Sequence, residues 1–265
     1  MLTDSLGYVI PTDSRHADGG QPTVGDGFYI PSNEHVCSSG LGWEDPGFRF
    51  YMLTAAHCVD YVNNVAIQFE GNPYNSGTYS AYMATLIGNP NVFGGSDPQL
   101  DATLIGVPAT PSIAGEMFTG SNTSSTKVDI PSILHAPIPF LDLLCSNGAA
   151  TGTHCNMKRL DAGTTQVRAC GSCPWFDVVK VFSTNYGLLL FGGGDSGGNV
   201  YRSGTYQVVA IIEGIPTGQE FPCGSANYWS PANLCTSTTG FVTEINTIAS
   251  ELAETNPDLV PRLRP

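Results

Sequence analysis

Three residue types that together can activate a hydroxyl group follow one another along the chain as histidine, aspartate and serine. His57 lies in the segment LTAAHC, Asp101 opens DATLIGV, and Ser196 lies in GGGDSGG. A serine hydroxyl is a weak nucleophile near neutral pH and needs a base, usually a histidine that a carboxylate orients. The three residues therefore predict acyl transfer, with Ser196 as the nucleophile, His57 as the general base and Asp101 as the orienting acid.

The positions of the histidines exclude one competing architecture. The glycines around Ser196 also fit the Gly-x-Ser-x-Gly turn of α/β-hydrolases, in which the histidine follows the serine. All histidines of this chain precede Ser196: His16, His35, His57, His135 and His154. A subtilisin-type order of acid, histidine and serine is arithmetically possible, but that fold needs more helices than the sequence predicts. A second candidate acid, Asp97, stands before a proline and is interpreted as a turn former.

Short strand-like runs separated by turns must position these residues. The chain contains 31 glycines and 19 prolines, and 41% of its residues are hydrophobic. Strand-like runs occupy residues 48–56, 65–70, 80–88 and 102–107, and similar runs such as FDVVKVFS follow in the second half. Residues 240–254 repeat apolar side chains at three- and four-residue spacing, which predicts one helix. This pattern indicates an all-β fold, either an antiparallel sandwich or a barrel.

Composition excludes several classes of partner. The formal net charge is −13 and the chain has only ten Lys and Arg residues, so nucleic acid, which needs clustered cations, is excluded as a partner. No apolar run approaches the ~18 residues that a membrane-spanning helix needs, so we expect no membrane association. Eight cysteines predict an oxidising compartment, although the first residues lack the pattern of a signal peptide. We therefore expect a secreted or extracytoplasmic protein, and a monomer.

The segment CGSC, which contains Cys170 and Cys173, raises the alternative of a zinc or redox site. A zinc site needs a second closely spaced pair of ligands, whereas Cys223 and Cys235 lie twelve residues apart. A thioredoxin-type motif needs an α/β context that the sequence does not predict. We therefore expect neither a metal nor another cofactor.

The segments LTAAHC, DATLIGV and GGGDSGG together resemble the three signature segments of chymotrypsin-like serine proteases. Residues 143–155 resemble the short Cys-to-Cys loop of streptogrisin-type bacterial members, and residues 238–250 resemble their C-terminal strand and helix. The likeness spans roughly residues 28–252. It implies an all-β fold of two antiparallel Greek-key β-barrels with a C-terminal helix, and a serine endopeptidase that acts on proteins or peptides. The alternatives are a catalytically impaired homologue that acts as a binding module and, more weakly, an esterase.

The resemblance also implies a division of the chain. Residues 26–125 form the first barrel, which carries the histidine and the aspartate. Residues 126–255 form the second barrel, which carries the serine, the specificity pocket and the helix. Residues 1–25 are expected to be an N-terminal extension, and residues 256–265 a loose tail.

The resemblance assigns the N–H groups of Gly194 and Ser196 to an oxyanion hole, which needs backbone donors aimed at the developing charge. Asp195 is expected to be buried and to need a partner for its charge. At the position where streptogrisin-type members carry a basic residue for this purpose, the chain has Ser146. Four cations remain as candidate partners: Lys158, Arg159, Arg168 and Arg202.

The resemblance places four further residues in substrate binding. Leu190 forms the base of the primary specificity pocket, and an apolar base cannot balance a buried basic head group. Apolar or aromatic substrate side chains are therefore expected. Gly193 either gives only flexibility to the loop or lies at the rim of the pocket, and Gly214 lies on its wall. Glu213 is either a surface charge or a group that tunes the pocket.

By resemblance, Cys37 pairs with Cys58 beside His57, and Cys145 pairs with Cys155. In the entropic model, closing a loop of the first size contributes about 3 kcal/mol to stability. The partners of the other four cysteines stay open, and one option pairs Cys170 with Cys173 and Cys223 with Cys235.

Overall fold

The computed structural model describes residues 23–30, 35–59, 66–69, 82–86, 100–107, 115–168, 175–185, 187–223, 234–236 and 238–264. Residues 1–22, Asp97, Cys170 and Cys173 lie outside these described residues. Within the described part of the chain, short strands dominate and one α-helix lies near the C-terminus. The predicted all-β class with a C-terminal helix is confirmed.

The first half of the chain forms short strands and one 3-10 helix. The strands are β1 (Gly27–Ile30), β2 (His35–Ser38), β3 (Gly42–Glu44), β4 (Phe50–Thr54), β5 (Ala66–Phe69), β6 (Tyr82–Leu86), β7 (Thr103–Val107), β8 (Glu116–Phe118) and β9 (Lys127–Asp129). The 3-10 helix, Ala56–Val59, directly follows β4. The runs predicted at residues 48–56 and 102–107 therefore form β4 and β7.

The second half continues the pattern and ends with the helix. The strands are β10 (Leu144–Gly148), β11 (Gly152–Arg159), β12 (Thr165–Val167), β13 (Phe176–Ser183), β14 (Phe191–Gly192), β15 (Asn199–Arg202), β16 (Val208–Gly214), β17 (Phe221–Pro222), β18 (Leu234–Thr236), β19 (Thr239–Glu244) and β20 (Val260–Pro261). The helix α1 spans Ile245–Thr255. Among the described residues, no helix has the length and apolar character needed to cross a membrane.

Two large sheets organise these strands. The first has eight strands in the order β2-β1-β5-β6-β7-β4-β3-β20, and the second has seven in the order β11-β10-β15-β16-β19-β13-β12. β11 also pairs with β13. The strands β11-β10-β15-β16-β19-β13 of the second sheet therefore close into a ring. Two smaller sheets, β14-β18-β17 and β8-β9, complete the described strands.

The register between β4 and β7 brings the histidine segment next to the aspartate segment. The two strands are antiparallel, with Thr54 opposite Thr103. The end of β4 and the start of β7 therefore lie at the same end of this strand pair. His57 follows β4 closely and Asp101 precedes β7, so both residues lie at that end.

Three clusters of buried apolar side chains form the core. One belongs to the first sheet and includes Phe28, Met52, Ile67 and Ile105. Another lies within the ring of the second sheet and includes Leu144, Val181, Phe191 and Val209. The third mixes both halves and includes Trp43, Leu53, Tyr201, Ile211 and Ile248. Because the third cluster draws on both sheets and on α1, it packs the two halves against each other.

The helix α1 begins at Ile245, five residues later than the sequence pattern predicts. Residues Thr239–Glu244 form β19 instead, which pairs with both β13 and β16. Gly240 permits this packing, because a Cβ at that position would lie 2.0 Å from Cζ of Phe191. Val242, whose spacing suggested the helix, is buried in the cluster of the second sheet.

The expectation of a loose tail is wrong for its described residues. Val260 pairs with Glu44 of β3 in an antiparallel bridge. Arg262 donates to the Glu44 carboxylate at 2.6 Å, and the N–H of Arg264 donates to the carbonyl of Ile130 at 2.9 Å. The segment after α1 therefore adds a strand to the first sheet.

Candidate active site

His57 and Asp101 form a hydrogen-bonded pair beside the end of β4 and the start of β7. His57 Nδ1 lies 2.5 Å from Asp101 Oδ2, and the backbone N–H of His57 donates to Asp101 Oδ1 at 2.7 Å. The Asp101 side chain is fully buried, whereas the His57 side chain is 19% exposed. The carboxylate thus orients an imidazole that lies on the wall of a cleft.

The pKa of Asp101 lies below its ordinary value although the group is buried. Burial by itself raises that pKa, but the charge of His57 and the hydrogen bonds from His57 outweigh the effect. The carboxyl group therefore stays ionised near neutral pH. The ionised form is the one that accepts both hydrogen bonds from His57.

The loop from Gly192 to Gly198 carries Ser196 between β14 and β15. Most of its backbone N–H groups donate to described acceptors, namely those of Gly192, Gly193, Asp195, Gly197 and Gly198. Within the described part of the chain, no acceptor takes the N–H groups of Gly194 and Ser196. These are the two donors that the resemblance assigns to an oxyanion hole, and they are available to a ligand oxygen.

The hydroxyl of Ser196 lies on the wall of the same cleft as His57. Ser196 Oγ donates to the backbone carbonyl of Glu213 at 3.2 Å. Catalytic hydrogen bonds are often long or misaligned before a substrate binds. The two side chains therefore line one cleft, although they come from different sheets.

Ser38 of β2 fixes the serine loop from the opposite sheet. Its hydroxyl donates to the carbonyl of Gly194 at 2.8 Å and accepts the N–H of Ala149 at 2.7 Å. Its own N–H donates to the carbonyl of Ser196 at 2.8 Å. Ser38 thus holds the peptide group before Asp195 and the peptide group after Ser196. No local motif marks a serine that acts across two sheets, so the residue types alone do not reveal this role.

Asp195 is fully buried and is held by neutral donors. Its Oδ1 accepts the N–H groups of Ala150 at 2.9 Å and Thr151 at 3.0 Å. Its Oδ2 accepts the Thr151 hydroxyl at 2.5 Å and the N–H of Gly192 at 2.8 Å. Gly148 leaves room for this arrangement, since a Cβ there would lie 2.1 Å from Asp195 Oδ1. A nest of N–H groups and a hydroxyl therefore takes the place of the expected cation.

None of the four candidate cations bonds to Asp195 in the described part of the chain. Arg159 donates to Glu244 at 2.9 Å, and Arg202 pairs with Asp142 at 2.6 Å. Burial raises the pKa of Asp195 above its ordinary value, and the donors of Thr151 and Gly192 counteract only part of that rise.

We expect Thr151→Val to destabilise the serine loop. The change keeps the shape of the side chain but removes the hydroxyl that donates to Asp195, and a hydrogen bond to a charged group contributes about 1.5–3 kcal/mol. The hydroxyl favours the ionised carboxylate, so its removal raises the pKa of Asp195 further. The loss in the free energy of unfolding should therefore grow from acidic to neutral pH. Urea unfolding at several pH values measures this loss.

The matched control is Thr164→Val, the same chemical change at an exposed position. Substitutions at such positions usually change stability by less than about 0.5 kcal/mol. An equal loss in both variants would contradict the role given to the Thr151 hydroxyl.

A cleft of about 650 Å³ adjoins the serine loop. Five of the predicted catalytic and substrate-binding residues line it: His57, Gly193, Ser196, Glu213 and Gly214. Leu190 is not among its described lining residues; it is fully buried in the core of the second sheet. The apolar part of the lining comes from other residues: Val167, Trp175, Phe176, Ile215, Leu234 and Phe241.

Glu213 is buried, so its interpretation as a surface charge is wrong. Its side chain is 2% exposed, and its Oε2 lies 4.0 Å from His57 Nδ1. The pairing of β16 with β19 shifts register between Ile212 and Gly214, and such a bulge re-aims a side chain. Burial and, secondly, the charge of Asp101 raise the pKa of Glu213 well above its ordinary value.

Comparisons with solved structures place this geometry in a known architecture. No protein-family model and no curated protein sequence matches the chain. A Nocardiopsis protease, NAPase, superposes with a TM-score of 0.57 at 16% identity, over 91% of this chain and 98% of its own. A glutamic acid-specific serine protease, described as using a histidine triad in substrate binding, gives 0.55 at 19% identity over 88% and 97%. An α-lytic protease homologue, N4, gives 0.54 at 16% identity over 88% and 97%.

The chain has the two-barrel fold of chymotrypsin-like serine proteases. The fold class predicted from the sequence is confirmed. The ring of the second sheet, closed by the pairing of β11 with β13, forms one of the barrels. At these identities the likeness concerns the fold, so the activity has to be argued from the site.

Disulfide bonds brace both barrels. Cys37–Cys58 joins β2 to the 3-10 helix that carries His57, and Cys145–Cys155 joins β10 to β11. Both pairings agree with the resemblance. Cys223–Cys235 is also formed, which agrees with one part of the option left open for the other cysteines.

Two groups of described residues bring potential metal ligands within 4.8 Å of one another. In the group of Cys37, His57 and Cys58, both sulfur atoms belong to a disulfide and are not thiolate ligands. In the group of His57, Asp101 and Glu213, the nitrogen and oxygen at 2.5 Å already share a hydrogen bond. Both groups therefore fit the structural roles described above better than a metal centre.

Proposed function

We propose that the protein is a serine endopeptidase that hydrolyses peptide bonds through an acyl-enzyme intermediate. The observation that carries this proposal is that His57 and Ser196 line the same cleft, with His57 bonded to buried Asp101. The available N–H groups of Gly194 and Ser196 beside the hydroxyl support it. The serine proteases that share the fold support the reaction class.

In this proposal the reaction follows from the roles of the site residues. Ser196 Oγ attacks the substrate carbonyl carbon while His57 accepts the hydroxyl proton, and Asp101 stabilises the imidazolium. The carbonyl oxygen becomes an oxyanion that accepts the N–H groups of Gly194 and Ser196. His57 then donates its proton to the leaving amine. Water hydrolyses the acyl-enzyme by the same steps, which restores the serine and the neutral histidine.

We propose a preference for apolar or aromatic substrate side chains. Leu190 lies in the core, so the preference rests on the apolar residues of the cleft, including Phe176 and Phe241. Burying a charged side chain against such surfaces is costly without a partner. The charged residues Arg168 and Glu220 also line the cleft and have opposite signs, so the lining favours neither charge.

The test is a peptide library in which each side chain is scanned at every position, with cleavage read by mass spectrometry. We expect endoproteolytic cleavage next to apolar or aromatic residues. Cleavage next to basic or acidic residues would contradict the specificity, and no cleavage by folded protein would contradict the activity. Peptide esters in the same assay separate an esterase, which would cleave them alone.

The second candidate is a catalytically impaired homologue that acts as a binding module. Two observations favour it: the Ser196 hydroxyl is bonded to the carbonyl of Glu213, and the donors that hold Asp195 are neutral. A binding module predicts that folded protein does not react with a fluorophosphonate. An endopeptidase predicts covalent labelling of Ser196.

We propose that the protein acts outside the cytoplasm, with proteins or peptides as its substrates. The disulfides of the described residues support an oxidising compartment. A monomeric state and the absence of nucleic-acid and membrane partners stay predictions from composition.

A further inference from the structure

Two buried carboxyl groups lie beside one imidazole in this site. Ligand atoms of His57, Asp101 and Glu213 all lie within 4.8 Å of one another. No donor among the described residues bonds to either carboxylate oxygen of Glu213. Two carboxylates at such a distance in a buried site do not both ionise, because like charges there repel strongly. One of the two groups therefore keeps a proton.

The surroundings assign that proton to Glu213. Asp101 accepts two hydrogen bonds from His57, which the ionised carboxylate favours. Glu213 has no such donors, and burial together with the charge of Asp101 raises its pKa. An interaction with the side chain of Thr243, on the neighbouring strand β19, lowers the pKa of Glu213 by a smaller amount.

Other charged groups near β16 are engaged elsewhere. Glu244 on β19 pairs with Arg159 at 2.9 Å, and the carboxylate of Asp195 is bonded to Ala150, Thr151 and Gly192. The helix α1, which also packs on β16, has no acidic residue in its first turn and no basic residue in its last. Of the described charged residues, Asp101 and His57 are therefore the ones that face Glu213.

We propose that Glu213 is a neutral carboxylic acid that donates a hydrogen bond to Asp101 and so holds the Asp101–His57 pair in place. This inference rests on the proposed function and adds a positioning residue to it. The carboxyl group is buried, so it acts on a substrate only through Asp101 and His57. The backbone carbonyl of Glu213 accepts a hydrogen bond from Ser196 Oγ. Glu213 therefore lies beside both the serine and the Asp101–His57 pair.

Two substitutions separate the donor from the volume that it fills. Glu213→Gln keeps the size and a donor group but cannot ionise, whereas Glu213→Met keeps a similar size without a donor. We expect kcat of the glutamine variant within about threefold of the wild-type value. We expect kcat of the methionine variant to fall by about 10- to 100-fold with little change in KM. A fall of this size corresponds to the loss of one hydrogen bond to a charged group.

The free energy of unfolding tests the protonation state without catalysis. A carboxyl group that is neutral when folded and ionised when unfolded binds more protons in the folded state. It therefore costs stability as the pH rises above its unfolded pKa of about 4.3. Relative to Glu213→Gln, the wild-type protein should therefore lose stability as the pH rises above about 4.3. The control Glu254→Gln, an acid-to-amide change at an exposed position of α1, should change the free energy of unfolding by less than about 0.5 kcal/mol.

The Nδ1 proton resonance of His57 tests the positioning role, again without substrate. We expect the resonance to shift in Glu213→Met and to stay close to its wild-type position in Glu213→Gln. The proposal is overturned by a pH-independent stability difference, or by a methionine variant that folds with unchanged kcat and resonance. If the wild-type protein cleaves no peptide, the proposed function fails. The unfolding and resonance data then still decide the role of Glu213.

Discussion

Replacing Ser196 by alanine is expected to lower kcat for peptide hydrolysis by about 10⁶-fold. The substitution removes the nucleophile but leaves the backbone N–H groups and the cleft in place, so KM should change little. The hydrogen bond lost to the carbonyl of Glu213 should cost only about 1 kcal/mol of stability. Steady-state kinetics with the best library peptide, combined with urea unfolding, measures both quantities.

The control is Ser203→Ala, which removes a hydroxyl from an exposed position after β15. Its kcat should equal the wild-type value. A fluorophosphonate should label wild-type protein and Ser203→Ala on Ser196 with loss of fluoride, and it should not label Ser196→Ala. Peptide hydrolysis that survives in Ser196→Ala after contaminants are removed would exclude this residue as the nucleophile.

Asp101→Asn should lower kcat by about 10⁴-fold while the fold is kept. The amide can still accept the backbone N–H of His57, which donates to Oδ1 at 2.7 Å. It places an NH₂ group or a neutral oxygen opposite His57 Nδ1, so the imidazole loses its preferred tautomer and its imidazolium loses the adjacent negative charge. Kinetics at several pH values measures the loss, with Asp129→Asn at an exposed position of β9 as the control.

A double substitution sharpens this test. If Ser196, His57 and Asp101 act as one unit, then Ser196→Ala combined with Asp101→Asn should be no slower than Ser196→Ala alone. Multiplied losses would instead show that Asp101 stabilises the transition state independently of the serine. That result would contradict the orienting role.

Local signals account for the part of the fold that the sequence predicted. Strand-like runs bounded by glycine and proline predict pleated, half-buried segments. The strands β4, β7 and β13 form at the positions of such runs. The two-barrel arrangement came from motif resemblance. The order of the motifs also indicated that His57 and Asp101 would meet, which the register of β4 and β7 explains.

Most of the features that sequence reasoning missed depend on contacts between distant segments. Asp195 is bonded by the N–H groups of Ala150 and Thr151, and the direction of a backbone N–H has no signature in residue types. Glu213 is turned inwards at a register shift in β16, which the alternation of a strand does not reveal. The start of α1 was misplaced because Val242 fits both a strand and a helix period.

The strand β20 makes the first sheet dependent on residues that are synthesised long after the rest of it. Until Val260 and Pro261 have emerged, β3 is an open sheet edge whose backbone groups can pair with another chain. Once in place, β20 covers that edge with two residues, and Pro261 offers no N–H to a further strand. Nascent or truncated chains that stop before residue 260 should therefore be prone to aggregate through β3.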